Sequence, residues 1–418
     1  MGNQTIKKLH ANQIIKLVKE SGPISRIEIS EKINIPQPTI TRITEELLKM
    51  NIIKEKGFAP SSGGRRPILL DFNENCYYSL GFEIGRTSMK LALTNLNGEI
   101  LAFRKKSYQS TNAIDDILLF SKNSVTDMLE ESGVNRDRLL GMGVGLPGPL
   151  YLDEHNLKSP NFMKGELTNL PRRLKEYFNF PIEFDKDANV AALAEKWFGK
   201  GVGCSNFIYV MADEGIGCGI FLKNQLYRGV HGEAGGLGHS VVDLFGAKCT
   251  CGNYGCLETL VSKEKIIDKV KSQLKLATNE ERSMYFQTDI EDVTIKNIRQ
   301  AAEKGSLLAQ QVLRESGVFL GVGLSNIVTF FDPELIILGG SIGSAHDVIK
   351  DSVTNSITER VLGTYGKNIK ITLSNIEEST ALGAAALIID KNMNLFSNHS
   401  YILNRAKKDS NSIAEIEN

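Results

Sequence analysis

Apolar residues near the N-terminus recur with the period of an α-helix in three short segments. The first segment covers about residues 5–20. The second starts at Ser25, where Glu28 three residues later forms the pattern of a capping box. The third covers about residues 37–48, after a short turn at residues 34–36. Two short helices joined by a tight turn within about 30 residues predict a helix-turn-helix.

Two short segments follow, IIKEKG at residues 52–57 and PILL at residues 67–70, and they predict a pair of strands around a loop. The loop between them reads SSGGRRP, a flexible tip that carries Arg65 and Arg66. Strands placed in this way after a helix-turn-helix indicate a wing. Its arginines could lie along DNA phosphates or enter a narrow minor groove.

The third helix is the expected recognition helix, whose first turns face a major groove. Four of its polar side chains are placed to reach base edges: Gln37, Thr39, Thr41 and Arg42. Among them, Arg42 suits guanine and Gln37 suits adenine. Residues 1–70 hold 12 Lys and Arg against 6 Asp and Glu, a net +6, so the remaining residues of this neutral chain carry −6. This asymmetry favours DNA contact at one end, although a three-helix protein-interaction module would also fit the pattern.

Beyond residue 77 the pattern becomes that of an α/β fold, with buried strands running into glycine turns and long helices between them. The predicted strands are residues 78–85, 89–94, 99–103 and 207–211, with two more that end in turns, at 142–149 and 335–341. A strand-to-helix junction is predicted at residues 184–189, followed by a helix at 191–198. The other predicted helices are residues 293–304, 307–331 and 379–390.

Residues 239–258, GHSVVDLFGAKCTCGNYGCLE with the preceding glycine, carry a concentrated set of metal-binding side chains. His239, Cys249, Cys251 and Cys256 follow the spacing H-x9-C-x-C-x4-C. Three thiolates and one imidazole are a common set for a closed tetrahedral zinc site. A disulfide, or three buried free thiols, is the alternative. We therefore predict one structural Zn²⁺ per chain.

The zinc motif resembles that of the ROK family, which contains repressors, open reading frames and sugar kinases. Together with the helix-turn-helix and the GGRRP wing, it resembles the repressor branch. The resemblance implies a winged helix-turn-helix followed by a two-lobed actin-like ATPase (ribonuclease H-like) sugar-kinase fold. The implied boundaries are residues 1–73 for the DNA-binding domain, 74–200 for a first lobe completed by a closing helix at 377–391, 201–376 for a second lobe with the zinc site, and 392–418 for a polar tail.

The resemblance also implies a sugar pocket. Its residues in this chain are Asn161, Lys186, Asp187, His239 and Glu258. Asp187 occupies the position of the kinases' general base, where a carboxylate accepts the proton of a sugar hydroxyl. Lys186 replaces an asparagine of the family, and Gly236 replaces a sugar-binding glutamate, so the hydroxyl pattern of the ligand is left open.

The two phosphate loops depart from the kinase pattern. Glu83-Ile84-Gly85-Arg86-Thr87 stands where sugar kinases carry D-x-G-G-T, and Asp213 and Glu214 replace a Gly-Thr pair. Carboxylates beside a triphosphate repel it. We therefore expect a regulator without enzymatic activity. An ATP-dependent sugar kinase with an appended DNA-binding module is the alternative, and a zinc-binding structural protein is a third.

The composition bears on whether the protein spans a membrane and on where it is located. The 418-residue chain has ordinary apolar and charged content and no run of 18 apolar residues, so no membrane span is expected. Its N-terminus lacks the apolar core of a secretory signal, which favours the cytoplasm. Within the family, the expected partners are operator DNA, a sugar effector and a second copy of the chain, in a homodimer or a tetramer. Xylose is a reasonable effector that no single residue selects.

Overall fold

The computed structural model describes residues 3–60, 66–108, 113–152, 157–159, 162, 167–343, 347–363 and 369–392. Three predicted features lie outside these residues: Arg65 at the wing tip, Asn161 of the sugar pocket and the polar tail beyond Asn392. No described helix is long and apolar enough to cross a membrane.

The N-terminal module consists of three helices and a small antiparallel sheet. Its elements are α1 (Asn3–Ser21), β1 (Ile24–Ser25), α2 (Arg26–Ile33), α3 (Gln37–Lys49), β2 (Ile53–Phe58) and β3 (Ile68–Phe72). The sheet has the order β1-β3-β2. The three helices and the two wing strands confirm the predicted winged helix-turn-helix. The two-residue β1 was not predicted, because it is too short to show a period and forms only by pairing with Leu69 and Leu70.

The start of α2 shows how closely the sequence sets this module. The Ser25 side chain accepts a hydrogen bond from the Glu28 amide at 3.3 Å, and the Glu28 carboxylate accepts one from the Ser25 amide at 2.9 Å. This is the predicted capping box. At the other end of α2, Asn34 adopts a left-handed conformation with φ of 52°. That reversal allows α3 to begin within three residues.

The first lobe is built on a five-stranded sheet of order β10-β7-β4-β5-β6, in which β4, β5 and β6 form an antiparallel meander and β7 and β10 run parallel to β4. Its strands are β4 (Tyr78–Ile84), β5 (Ser88–Asn95), β6 (Ile100–Ser107), β7 (Leu139–Leu146) and β10 (Ile182–Lys186), and a small hairpin is formed by β8 (Tyr151–Leu152) and β9 (Leu157–Lys158). Its helices are α4 (Ala113–Ser132), α5 (Leu170–Tyr177) and α6 (Asp187–Phe198).

The second lobe repeats this plan with a sheet of order β13-β12-β11-β14-β15, again a meander followed by parallel strands. Its strands are β11 (Phe207–Ala212), β12 (Ile216–Leu222), β13 (Gln225–Tyr227), β14 (Leu335–Gly339) and β15 (Lys370–Leu373). Its helices are α7 (Glu258–Val261), α8 (Lys263–Leu276), α9 (Asn279–Tyr285), α10 (Ile295–Glu303), α11 (Leu307–Phe331), α12 (Gly340–Gly343) and α13 (Asp347–Arg360). This duplicated architecture confirms the predicted two-lobed kinase-type α/β fold.

The last described helix, α14 (Ser379–Lys391), returns to the first lobe and lies against its sheet. Two strand glycines make that contact possible. A Cβ atom on Gly81 would stand 1.9 Å from the Ala381 carbonyl oxygen, and one on Gly143 would stand 1.8 Å from that of Ala384. Backbone therefore meets backbone along α14, which fixes this helix relative to the strands.

Candidate DNA-binding surface, metal centre and effector cleft

The recognition helix α3 presents one polar face. Gln37 and Arg42 are exposed, while Thr39 and Thr41 are half-buried. The Thr41 hydroxyl donates to the Gln37 carbonyl at 3.0 Å, so this side chain is held along the helix surface. The opposite face is buried, with Ile40, Ile43, Thr44 and Leu47. Thus Gln37 and Arg42 are the two predicted base-reading side chains with the greatest reach.

Polar contacts hold α3 against α2. The Arg26 guanidinium donates to the Thr44 hydroxyl at 2.9 Å, and the Ser30 hydroxyl donates to the Ile35 carbonyl at 2.6 Å. Arg66 at the base of the wing is exposed. Arg26 and Ser30 therefore help to fix the angle between the two helices. Neither side chain lies on the solvent-facing side of α3.

The four predicted metal ligands lie together, with their ligand atoms within 4.8 Å of one another. The Cys251 and Cys256 sulfur atoms are 3.6 Å apart, and His239 Nδ1 is 3.7 Å from the Cys249 sulfur. A tetrahedral zinc site with Zn–S bonds of about 2.3 Å places neighbouring sulfur atoms roughly 3.7 Å apart. The cluster can thus hold a metal ion of that size, and His239 would ligate it through Nδ1.

The backbone of the metal loop is shaped by two glycines. Gly255 has a φ of 67°, and a Cβ atom there would stand 1.5 Å from the Asp243 carbonyl oxygen; Gly252 has a φ of 96°. The Cys249 amide donates to the Asn253 carbonyl at 2.7 Å. These turns bring the three cysteines to one point. Burial and the adjacent thiols raise the pKa of Cys256.

Asp187 is the first residue of α6 and lies near Glu83, Arg86 and Lys186. Its Oδ1 accepts a hydrogen bond from the Ala188 amide at 2.7 Å. Burial raises the pKa of Asp187 to about 7, and the nearby Glu83 carboxylate raises it further, against the opposing effects of the Ala188 amide, Arg86 and Lys186. A carboxylate with such a pKa is suited to hydrogen-bonding a neutral hydroxyl group.

Lys186 and Asp185 tie β10 to the second lobe. The buried Lys186 ammonium donates to the Ala234 carbonyl, in the loop that leads to His239. The Asp185 carboxylate accepts from Arg228 at 2.8 Å. Burial lowers the pKa of Lys186. The predicted sugar contact at Lys186 thus belongs to a side chain that also holds the two walls of the cleft together.

Glu258 follows directly after Leu257 and the metal-loop Cys256. Its Oε2 accepts from the Ile216 amide at 3.0 Å and lies beside Gly215 and Gly238. This carboxylate therefore links the metal loop to the start of β12. His239 uses Nδ1 on the cysteine side, which leaves Nε2 as the ring nitrogen that can serve a second role.

Internal partners occupy the two phosphate loops. Lys90 pairs with Glu83 at 3.2 Å and with Glu378 at 2.8 Å, while burial raises the pKa of Glu83. Asp213 accepts a hydrogen bond from the Ser341 amide at 3.1 Å and lies 3.6 Å from the Lys263 ammonium. The backbone donor at the start of α12 is thus already bound to a carboxylate of the protein.

Several of these partners were not predicted. Lys90, Arg228 and Glu378 have no spacing pattern of their own, although Lys90 lies only three residues beyond the first phosphate loop. Their role arises from charge pairs between strands and lobes, which periodicity does not encode. The only available signal was that each predicted acidic residue of the cleft needs a compensating cation.

Fold and site together define a class: a winged helix-turn-helix DNA-binding module joined to a two-lobed sugar-kinase fold that carries a Cys3His cluster. The model of the ROK family matches residues 79–391, and that of a winged helix-turn-helix DNA-binding domain matches residues 11–54. The chain belongs to the ROK family.

Similar proteins place it among the regulators of that family. The chain is 31% identical to the xylose repressor of Bacillus subtilis over 92% of its own length and 96% of that protein. It is 29% identical to the N-acetylglucosamine repressor of Escherichia coli O6:H1, with 92% and 93% covered. A crystal structure of a ROK family transcriptional regulator, a homologue of the E. coli MLC protein, matches with a TM-score of 0.77 at 30% identity, covering 93% of this chain and 97% of the other.

A kinase structure matches a smaller part. The ROK family glucokinase from Streptomyces griseus, in complex with glucose and AMPPNP, aligns with a TM-score of 0.65 at 26% identity, covering 74% of this chain and 98% of that one. The regulators, in contrast, match over the winged module as well. The protein is therefore a DNA-binding transcriptional regulator of the ROK family, and the predicted regulator is favoured over the kinase alternative.

Proposed function

We propose that the protein represses carbohydrate-utilisation genes by binding operator DNA through its winged helix, and that a sugar bound between the two lobes changes this affinity. The observation that carries the proposal is the joining of a DNA-binding module to a cleft that keeps Asp187, His239 and Glu258 while internal ion pairs occupy its phosphate loops. Because the cleft can hold hydroxyl groups but offers poor access to a triphosphate, ligand sensing suits it better than phosphoryl transfer.

For the DNA contacts, we propose direct base readout by Gln37 and Arg42, with Thr39 and Thr41 beside them. Arg66, together with Arg65 beyond the described residues, would contact the backbone or the minor groove next to the recognition site. The exposed positions of Gln37 and Arg42 on α3 support these roles.

The proposed effector is a neutral sugar of pyranose size, with Lys186, Asp187, His239 and Glu258 as its contacts. Asn161, a further proposed sugar contact, lies outside the described residues. Relatives of nearly equal identity are named for two different sugars, xylose and N-acetylglucosamine. We take xylose as the first candidate and N-acetylglucosamine as the second.

One Zn²⁺ per chain would complete the cluster of His239, Cys249, Cys251 and Cys256. The sulfur spacing and the thiolate-rich set support zinc over harder cations. Its role would be structural: it would hold His239 in one orientation, with Nε2 directed to the effector.

A repressor acts on the chromosome, so we propose that the protein is cytoplasmic. We also propose that it forms a homodimer or a tetramer. A dimer would place two recognition helices on half-sites about one helical turn, or a multiple of it, apart. A ligand that prefers one dimer geometry would then shift DNA affinity, since only differential binding can move an equilibrium.

The deciding experiment is thermal melting of the purified protein with D-xylose, N-acetyl-D-glucosamine, other free sugars, sugar phosphates and ATP with Mg²⁺. A sugar present at 100 times its Kd would add about 2.7 kcal/mol of stability. We expect a rise in Tm with one free sugar and none with ATP. A rise with ATP would favour the kinase, and no rise with any sugar would contradict the proposed sensor.

A further inference from the structure

The apolar core of the DNA-binding module continues into the kinase-like body. Buried side chains of α1, α3 and β3 share one cluster with Leu96, Leu140, Ile388 and Ile389 of the body, and Trp197 packs against it. Separating the two parts would expose this apolar surface to water. The orientation of the DNA-binding module is therefore set by what lies on the body side of the cluster.

Two helices of the body reach from the effector cleft to this shared core. Helix α6 begins with Asp187 in the cleft and has Trp197 near its other end. Helix α14 follows Glu378, the partner of Lys90 beside the first phosphate loop, and has Ile388 and Ile389 near its other end. Both helices thus contact the proposed ligand region at one end and the DNA-binding module at the other.

The two helices are packed without clearance. A Cβ atom on Gly383 of α14 would stand 1.7 Å from the Val190 carbonyl oxygen of α6. At their far ends, the Trp197 indole N–H donates to the Asp390 carboxylate at 3.2 Å. Close-packed interiors transmit displacement rather than absorb it, so α6 and α14 should move as one body.

The Lys19 ammonium joins this helix pair to the DNA-binding module. The Lys19 ammonium of α1 lies 4.3 Å from the centroid of the Trp197 ring and 5.5 Å from that of Phe72, on the wing strand β3. It also donates a hydrogen bond to the Leu96 carbonyl at 3.0 Å. Burial lowers the pKa of Lys19 to about 8.

We infer that Lys19 and Trp197 form the joint through which the effector cleft controls the DNA-binding module, with α6 and α14 as the connecting helices. The inference rests on the proposed function, because it assigns a path to the coupling which that function requires. A ligand that displaces Asp187 shifts α6 and hence the indole ring beneath Lys19. The Lys19 ammonium cannot leave the ring without losing its contacts with Trp197, Phe72 and the Leu96 carbonyl, so α1 and the wing strand follow.

The protein carries its own reporter, because Trp197 is its only tryptophan. The first probe is a duplex DNA that the full-length protein selects from a random library. Its binding is followed by the anisotropy of a labelled end, and the joint is followed by Trp197 emission. We expect saturation with this duplex to change the Trp197 emission of the wild type. Unchanged emission at saturation would overturn the inference.

The variant that tests the joint is Lys19→Met, which keeps the apolar stem and removes the charge. Its matched control is Lys16→Met, on the same helix but exposed to solvent. Because Lys19 faces the body, the variant should bind the selected duplex within about threefold of the wild type. In the wild type, D-xylose or N-acetyl-D-glucosamine should change the duplex Kd by about 5- to 150-fold, the usual range of allosteric coupling.

In Lys19→Met, the sugar-dependent change in duplex Kd should fall to within about twofold, while the rise in Tm with sugar persists; Lys16→Met should behave as the wild type. Full coupling in Lys19→Met would overturn the inference. If neither sugar raises the Tm, D-xylose and N-acetyl-D-glucosamine are not effectors. The DNA-induced change in Trp197 emission then tests the joint alone. Lys19→Met must then lose the DNA-induced change in Trp197 emission that Lys16→Met retains, and a change kept by both variants would overturn the joint.

Discussion

At Asp187, the position in the fold changes the acid–base chemistry of the side chain. An aspartate has an ordinary pKa of 3.8, and burial in the cleft raises the pKa of Asp187 to about 7. A raised folded pKa means that the native state binds a proton more tightly than the unfolded chain. Its stabilising contribution is complete below about pH 3.8 and is lost as pH rises to about 7. The proposed sugar contact thus has a cost in stability at neutral pH.

From this we predict that Asp187→Asn removes a pH dependence. An asparagine keeps an oxygen for the Ala188 amide but cannot ionise. Urea unfolding at pH 4.5 and pH 7.0 should show the wild type losing stability, relative to the variant, as pH rises. Equal pH dependence in both proteins would mean that Asp187 keeps an ordinary pKa.

At the DNA surface, Arg42→Ala should cost about 1–3 kcal/mol of binding to the selected operator and relax the preference at one base position. The reason is that a bidentate arginine contact discriminates between bases. Competition assays against random DNA measure the specificity ratio, that is, the affinity for the operator relative to the affinity for random DNA. Lys49→Ala, at the exposed far end of the same helix, is the control. An Arg42→Ala protein with an unchanged specificity ratio would remove Arg42 from base readout.

Neighbouring residues determine the shape of the metal loop, and residues distant in the chain determine its position. The cysteine spacing and the two glycine turns are local. Its position beside the cleft depends on Glu258, whose carboxylate accepts from the Ile216 amide of β12. The loop has few buried side chains, among them Cys249 and Cys256, so the proposed metal ion would help to hold its shape.

Metal analysis of the purified protein should therefore find about one zinc per chain. Cys256→Ser should lose it and lower the Tm, while Cys204→Ser, distant from the cluster, should keep both. A chelator should reproduce the loss in the wild type. Full zinc content in Cys256→Ser would contradict the ligand assignment.

The closing helix α14 depends on glycines in the strands beneath it. Since a Cβ on Gly143 would collide with the Ala384 carbonyl, Gly143→Ala should destabilise the protein by about 1–3 kcal/mol, the usual cost of overpacking. Gly236→Ala is the matched control, because a Cβ there has no neighbour within 4 Å. Urea unfolding compares the free energies of unfolding of the two variants. Similar stability in both variants would mean that α14 is less tightly seated.

Elements that carry a clear period were predictable. Helix α11 spans Leu307–Phe331, as its pattern indicated, and the capping box at Ser25 formed as expected. Strand β6 runs to Ser107 rather than Phe103, because its second half is exposed and its pairing with β5, not its apolar pattern, extends it. Strand β1 likewise exists only through β3.

At the scale of the whole molecule, the winged module and the body share one apolar core. The sequence separates these two parts by composition and charge, which suggests independent units. The structure instead places α1 against α6 and the β5–β6 turn, with Lys19 between two aromatic rings. This contact makes a ligand-dependent orientation of the recognition helix physically reasonable.

By itself, the sequence determined the local features: the capped helix-turn-helix, the basic end, the Cys3His set and the strands that run into glycine turns. These follow from propensities and spacings within a few residues. Only the tertiary structure decided which cations neutralise Glu83 and Asp213, that Lys186 bridges the lobes, and that Lys19 meets Trp197. Apart from the Glu83–Lys90 pair between neighbouring strands, those contacts join residues that are distant in the chain. Their energies depend on burial and distance, which exist only once the chain is folded.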